Sequence, residues 1–241
     1  MAAVTRAVLS SVLVGVCVAA GGCATRVEGT AQPADTLGPT GTTTTTPAPA
    51  LVSAAQASDK LLKRSELESI VADSDMKQTV NLTKPEDDFM AFDPHECAER
   101  LLVGQGLDYG GDKMRAFVGN QARGARGQVA SQVVTVWVDR DQPRLSVRMS
   151  AMNWDACADN EAFTSNLAGG VQHWTSGTVT ANEDTSRIST TSQRQEPPPH
   201  TCSKVMASQA NVVVETSACG DGDTLAAANQ IADRILAKVP Q

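Results

Sequence analysis

Cys97, Cys157, Cys202 and Cys219 form an even set of four, and their redox state decides how large an apolar core the rest of the chain must supply. The compartment sets that state, and the N-terminus indicates the compartment. Arg6 precedes an uncharged run from Ala7 to Ala20 dominated by Val, Leu and Ala, and Gly21-Gly22 follow. A basic start, a short apolar stretch and small residues at the cut are the order of a secretory signal. A permanent membrane helix would need about 20 apolar residues, more than this run offers. An exported chain meets oxidising conditions, so two disulfides are expected. Four cysteines can pair in three ways, and spacing alone does not choose among them. If neighbours pair, Cys97 with Cys157 and Cys202 with Cys219, chain entropy assigns about 4 and about 3 kcal/mol respectively. No Cys-x-x-Cys or Cys/His pair has structural-zinc spacing, so no metal is expected.

Ala20-Gly21-Gly22-Cys23 resembles the lipobox of bacterial lipoproteins, with Ala20 where Leu is usual. The resemblance implies that residues 1–22 are a removed lipoprotein signal peptide, with Cys17 inside it, and that Cys23 is the acylated first residue of the mature chain. Residues 23–59 hold Pro33, Pro39, Pro47, Pro49 and the tract Thr42 to Thr46. Such a composition buries too little apolar surface to offset its ordering entropy, and reads as a disordered tether. The folded part is then expected over residues 60–241. Only 3% of the chain is aromatic, so its core must come from Val, Leu, Ile, Met and Ala. The net charge of −7 without a basic cluster argues against nucleic acid as a partner.

Ser65-Glu66-Leu67-Glu68 reads as a helix start, with Ser65 as N-cap and Glu68 completing a capping box, and the helix should end near Asp73. A second helix is expected to open at Asp93-Pro94, with Pro first, and to run past Cys97 and Leu101 to Gly104. After the glycine-rich turn, Lys113 to Val118 and Val129 to Val138 read as strands, the latter central in a sheet. Alternation over Leu145 to Met149 would allow a strand. The recurrence of Leu145, Met149, Met152 and Ala156 at three to four residues favours a helix from Arg144 to Ala158 instead, with Trp154 beside a bridged Cys157. Val171 to Gln193 should form two or three strands with turns at Ser176-Gly177 and Asn182 to Asp184. The loop Pro197-Pro198-Pro199 delivers Cys202, and Cys202 to Ala207 with Asn211 to Ala218 makes a hairpin. Asp223 caps a last helix whose stripe Leu225, Ala228, Ile231, Ala232, Ile235, Leu236 and Val239 must lie on the sheet. The class is α+β, an antiparallel sheet with helices packed on one face.

Pro94-x-x-Cys97 with the following Tyr109, Trp154-Asp155-Ala156-Cys157, Cys202 followed by Asn211-Val212-Val213-Val214 and Cys219, and the closing Ile231-Ala232-Asp233-Arg234-Ile235 with Val239-Pro240 carry a family pattern. In order and spacing they resemble the PknH-like extracellular sensor domain of mycobacterial receptor kinases and lipoproteins, over residues 60–241. The resemblance implies neighbour pairing of the four cysteines, an antiparallel sheet with helices packed on it, and a cleft for an unidentified ligand. With no kinase domain or transmembrane run in view, a sensed signal would pass to a membrane signalling partner.

Enzymatic motifs are missing from the sequence. Neither Gly-x-Ser-x-Gly nor His-Glu-x-x-His occurs; of the candidate imidazoles His95, His173 and His200, His95 in a helix first turn and His200 in a Pro loop are expected at the surface. The Asp-x-Asp pairs at 73, 139 and 221 do not continue as calcium loops and read as caps or turns. No catalytic residue and no cofactor are therefore expected. Tyr109, Arg115 and Trp174 are the candidates for a ligand cleft, two amphipathic rings and one fixed positive charge. The expected protein is a lipid-anchored, non-catalytic sensor on the extracytoplasmic face of the cell membrane, taking an unknown small-molecule or envelope ligand. The alternatives are an envelope structural or adhesion lipoprotein, and a hydrolase with an unrecognised site.

Overall fold

Central strands buried on both faces organise the fold into three layers. The computed structural model describes residues 50–241 other than 107–108, 110–111, 159–161 and 168–169. The expected signal peptide, Cys23 and most of the expected tether lie outside the described residues. Ten strands form one sheet: β1 (Lys77–Leu82), β2 (Phe92–Asp93), β3 (Met114–Arg123), β4 (Val129–Trp137), β5 (Ala162–Leu167), β6 (Gly170–Ser176), β7 (Thr180–Ala181), β8 (Arg187–Arg194), β9 (His200–Gln209) and β10 (Val212–Gly220). Their order is β1-β3-β4-β10-β9-β8-β6-β5-β2, with β7 also on β8, and all these pairings are antiparallel.

On one face, Val134 and Val136 of β4, Val205 of β9, and Val212 and Val214 of β10 pack against helix α5 (Thr224–Leu236) and the short helices α1 (Ala57–Lys60) and α2 (Arg64–Val71). Their neighbours in sequence point the other way. Val133, Met206 and Val213 pack on the opposite face against Val147 and Trp154 of α4 (Asp141–Ala158). The α+β class, the antiparallel sheet and both disulfides are as expected, and the helices occupy both sheet faces rather than one. The second face was hidden because the buried face of α4 is small and partly polar: Pro143, Val147, Ser150, Trp154 and Cys157. The expected stripe is instead in solvent, with Leu145 at 52%, Met149 at 50% and Met152 at 67% exposure.

Residues 50–59, expected in the tether, belong to the fold. Val52 and Ala57 enter the core, and two buried amides replace the strand partners this segment lacks. Asn211 Nδ2 donates to the Val52 carbonyl and its Oδ1 accepts from Val52 N, both at 2.9 Å. Gln132 does the same for Leu62, at 2.9 and 2.8 Å. A polar-looking segment can thus fold when side chains satisfy its backbone. The helix expected from Ser65 starts earlier, with Lys63 as the N-cap and Glu66 Oε2 accepting from Lys63 N at 2.7 Å. The helix expected from Pro94 is a 3-10 turn, His95–Cys97, followed by the single turn α3 (Ala98–Leu101). Strand β5 was not foreseen. Asp223 caps α5 as expected, its side chain accepting from Ala226 N.

Both bridges join neighbours, Cys97 to Cys157 and Cys202 to Cys219. Cys202 and Cys219 are direct cross-strand partners at the open end of the β9–β10 hairpin.

Candidate functional site

The face carrying α4 is only partly covered. Beyond that helix, the serines Ser131 of β4 and Ser217 of β10 occupy the positions that Val133 and Val213 fill beneath α4, and the smaller side chains leave depth above the sheet. The result is a cleft of about 860 Å³, floored by Gln121, Ser131, Ser217 and the Cys202–Cys219 bridge. Val80 and Leu82 of β1, the segment 101–103 after α3, and Leu167 and Trp174 of β5 and β6 supply its apolar sides. Val80 remains 40% exposed there. The volume falls within the roughly 300–1,000 Å³ of small-molecule sites.

Cross-strand register sets the rim chemistry. Trp174 lies opposite Arg194, and Arg194 opposite His200. The Trp174 ring stacks on Phe163 with centroids 6.3 Å apart, meets His200 edge-on at 6.4 Å, and donates from Nε1 to Ser165 Oγ at 3.0 Å. Arg194 Nη2 donates only to the Pro198 carbonyl, at 2.8 Å, and its Nε is buried without a partner. Arg123, from β3, reaches only the Gly127 carbonyl, at 3.4 Å. Burial first, then the positive charges of Arg194 and Arg123, hold the His200 imidazole below its usual value of 6.5, with Asp221 opposing them. Arg126, also at the cleft, is neutralised by the buried Asp73 at 3.6 Å.

The acidic partner of the bridge region is deeper. Lys204 of β9 and Glu215 of β10, both buried, form an ion pair beneath residues 99–106 and Tyr109. Glu215 Oε2 accepts from Gly104 N at 2.7 Å and from the Tyr109 hydroxyl, while Lys204 Nζ donates to the carbonyls of Glu99 and Leu102, the latter at 2.6 Å, and sits 4.7 Å from the centre of the Trp154 ring. This network fastens the cleft wall to the sheet. It was not anticipated from sequence; its signal was one charged residue of opposite sign in each strand of the β9–β10 hairpin, set diagonally across the register.

The three residues singled out as cleft candidates do not come together. Trp174 lines the cleft. Tyr109 is buried, edge-on to Phe117 at 5.3 Å, and serves Glu215. Arg115 is exposed and reaches only the Asp112 carbonyl, at 3.5 Å. His173 is exposed and bonds Glu196 at 2.6 Å, and that contact holds the Glu196 carboxyl below its usual range. His95 is exposed and its Nδ1 lies 2.5 Å from the Phe92 carbonyl. His200 approaches Cys202 and Cys219 closely, but their sulfurs are joined and offer no thiolate to a metal. Asp73, Asp139 and Asp223 serve as backbone acceptors at turns and caps.

Comparison with known proteins agrees with this architecture. A sequence model of the PknH-like extracellular domain matches residues 52–238. The serine/threonine-protein kinases PknH of Mycobacterium tuberculosis (strain ATCC 25618 / H37Rv) and Mycobacterium bovis are each 27% identical over 182 residues, which make up 74% of this chain but only 28% and 30% of those kinases. The chain therefore corresponds to less than a third of their length. The crystal structure of the extracellular domain of PknH from Mycobacterium tuberculosis aligns with a TM-score of 0.69 at 24% identity, over 78% of this chain and 97% of that one, and so shares the fold. With one family pattern running from Val52 to Lys238 on that shared fold, the chain belongs to the PknH-like extracellular domain family.

Proposed function

We propose that this protein is a non-catalytic ligand-binding sensor of the cell envelope, held on the extracytoplasmic face of the membrane by acyl groups on Cys23. The observation that carries the reading is the cleft, a deep recess with apolar sides and a polar rim in an extracellular-domain fold. The anchor rests on the order Arg6, Ala7 to Ala20 and Gly21-Gly22-Cys23. Among the described residues no helix is long and apolar enough to cross a membrane. A ligand would bear on residues 101–105 and, through the Lys204–Glu215 pair, on the sheet, which gives binding a route to a membrane signalling partner. An adhesion role has one feature in its favour, the exposed stripe Leu145, Met149 and Met152.

The test uses a fluorescent apolar probe, N-phenyl-1-naphthylamine, titrated into the purified chain. Saturable enhancement is expected, and Ser217→Trp, which fills the floor, should abolish it without changing the thermal midpoint. A wild-type chain that shows no saturable enhancement would overturn the cleft reading. Cys23→Ser should in turn release the chain from the membrane fraction, and retention there would overturn the anchor.

A further inference from the structure

We infer that the cleft takes an anionic amphiphile, a phosphate or carboxylate head on Arg123, Arg194 and His200 with an alkyl or acyl body against the apolar sides. The inference deepens the sensor reading and rests on it. Four described arginines at other positions meet carboxylates: Arg64 with Glu68, Arg126 with Asp73, Arg144 with Asp184 and Arg187 with Asp233. Among the described residues Arg123 and Arg194 meet only backbone carbonyls, and unlike Arg115, whose guanidinium is in the same state, they line the cleft. Their positions are not accidental neighbours of the cleft, because both act on the imidazole of His200, which also lines it. Asp221 lines the cleft with them, and His200 lies directly opposite Arg194 in the β8–β9 register, so the imidazole and the two guanidiniums share one recess. The buried Nε of Arg194 leaves a guanidinium donor unused, and guanidinium is the side chain suited to planar, two-point recognition of carboxylate and phosphate.

The body of the ligand follows from the walls. Val80, Leu82, Leu101, Val103, Leu167 and Trp174 present carbon surface to the same recess. An inorganic anion would leave that surface wet, and a neutral apolar molecule would leave the arginines unmatched. Glu86 and Asp88 also line the cleft, but they belong to the segment between β1 and β2, whereas Arg123, Arg194 and His200 come from β3, β8 and β9. A cationic head is therefore disfavoured at the arginine end.

The test compares four probes on the full chain below their micellar concentrations: dodecyl phosphate, dodecyl maltoside, dodecyltrimethylammonium and inorganic phosphate. Isothermal titration should rank dodecyl phosphate about tenfold tighter than the maltoside, and Arg123→Gln/Arg194→Gln should erase that preference while the maltoside affinity stays put. Binding of dodecyl phosphate should also raise the His200 titration midpoint seen by NMR, since a bound anion favours the imidazolium. Arg123→Gln alone, at an exposed position, keeps the test sound if the double variant misfolds, and should lower the preference part of the way. If phosphate and maltoside probes bind alike, or the cationic probe binds best, the anion inference falls and the cleft reading stands. If inorganic phosphate binds as tightly as dodecyl phosphate, the apolar body is refuted. If none of the dodecyl probes binds, both readings fall together.

Discussion

At the scale of single residues, the most consequential choice in this chain is the placing of Lys204 and Glu215 in the floor of an apolar sheet. An ion pair without solvent loses hydration that its mutual attraction only partly restores, so it survives where further polar partners complete it. Here the carboxylate also accepts from Gly104 N and the Tyr109 hydroxyl, and the ammonium from Lys204 donates to two carbonyls of the segment 99–102. The pair holds one wall of the cleft. Glu215→Gln keeps the shape and removes the charge, leaving a buried ammonium without its counterion. Chemical denaturation should show a loss of about 3–5 kcal/mol, and Lys204→Met/Glu215→Leu should cost less than the sum of the two single changes, as expected for groups in direct contact. A loss below about 1 kcal/mol for Glu215→Gln would mean that water reaches the pair and that it does not secure the wall.

At the scale of elements, legibility in the sequence followed the strength of the local signal. The last helix and the β9–β10 hairpin were both evident, because an apolar stripe with an N-cap, and the run Val212-Val213-Val214 paired across a tight turn with a second strand, leave few alternatives. Strand β5, Ala162–Leu167, was missed because its buried positions are Phe163 and Ser165, a pattern too polar to announce a strand. Helix α4 was found, but its orientation was read from the larger apolar residues. Those residues face solvent, while Val147, Ser150 and Trp154 face the sheet. A stripe of Leu and Met is a weaker guide than burial of one Trp, whose large area outweighs several exposed aliphatic contacts. The cleft was the least legible feature. Its floor depends on Ser131 and Ser217 meeting across a sheet from positions 86 residues of chain apart, and its rim on Arg123, Arg194 and His200 from three strands. Only the tertiary register joins them. The orientation of α4 carries its own check: Met149→Lys/Met152→Lys should change the thermal midpoint little, whereas Val147→Asp should cost several kcal/mol by burying a charge. The opposite ranking in a thermal melt would place the other face on the sheet.

At the scale of the whole molecule, the two disulfides have different tasks. Cys202–Cys219 closes a separation of 17 residues between strands that are already paired along their length, so it reinforces a register the backbone holds anyway. Cys97–Cys157 closes a separation of 60 residues and ties the segment ahead of the cleft wall to the end of α4, where little regular structure would otherwise fix it. Chain entropy assigns these closures about 3 and about 4 kcal/mol, but the larger contrast should lie in where the molecule loosens. Cys97→Ala/Cys157→Ala should raise amide exchange across residues 94–106, because α3 is a single turn held otherwise by side-chain contacts: Arg100 to the Gly177 carbonyl and Thr190, Lys204 to the carbonyls of Glu99 and Leu102, and Glu215 to Gly104 N. It should also weaken binding of an apolar probe in the cleft. Cys202→Ala/Cys219→Ala should lower the denaturation midpoint while exchange within β9 and β10 rises only near their open end. Hydrogen exchange read by mass spectrometry separates the cases. Unchanged protection at 94–106 after loss of the first bridge would show that the contacts of Arg100, Lys204 and Glu215 hold the wall without it, and that the bridge serves stability without shaping the site.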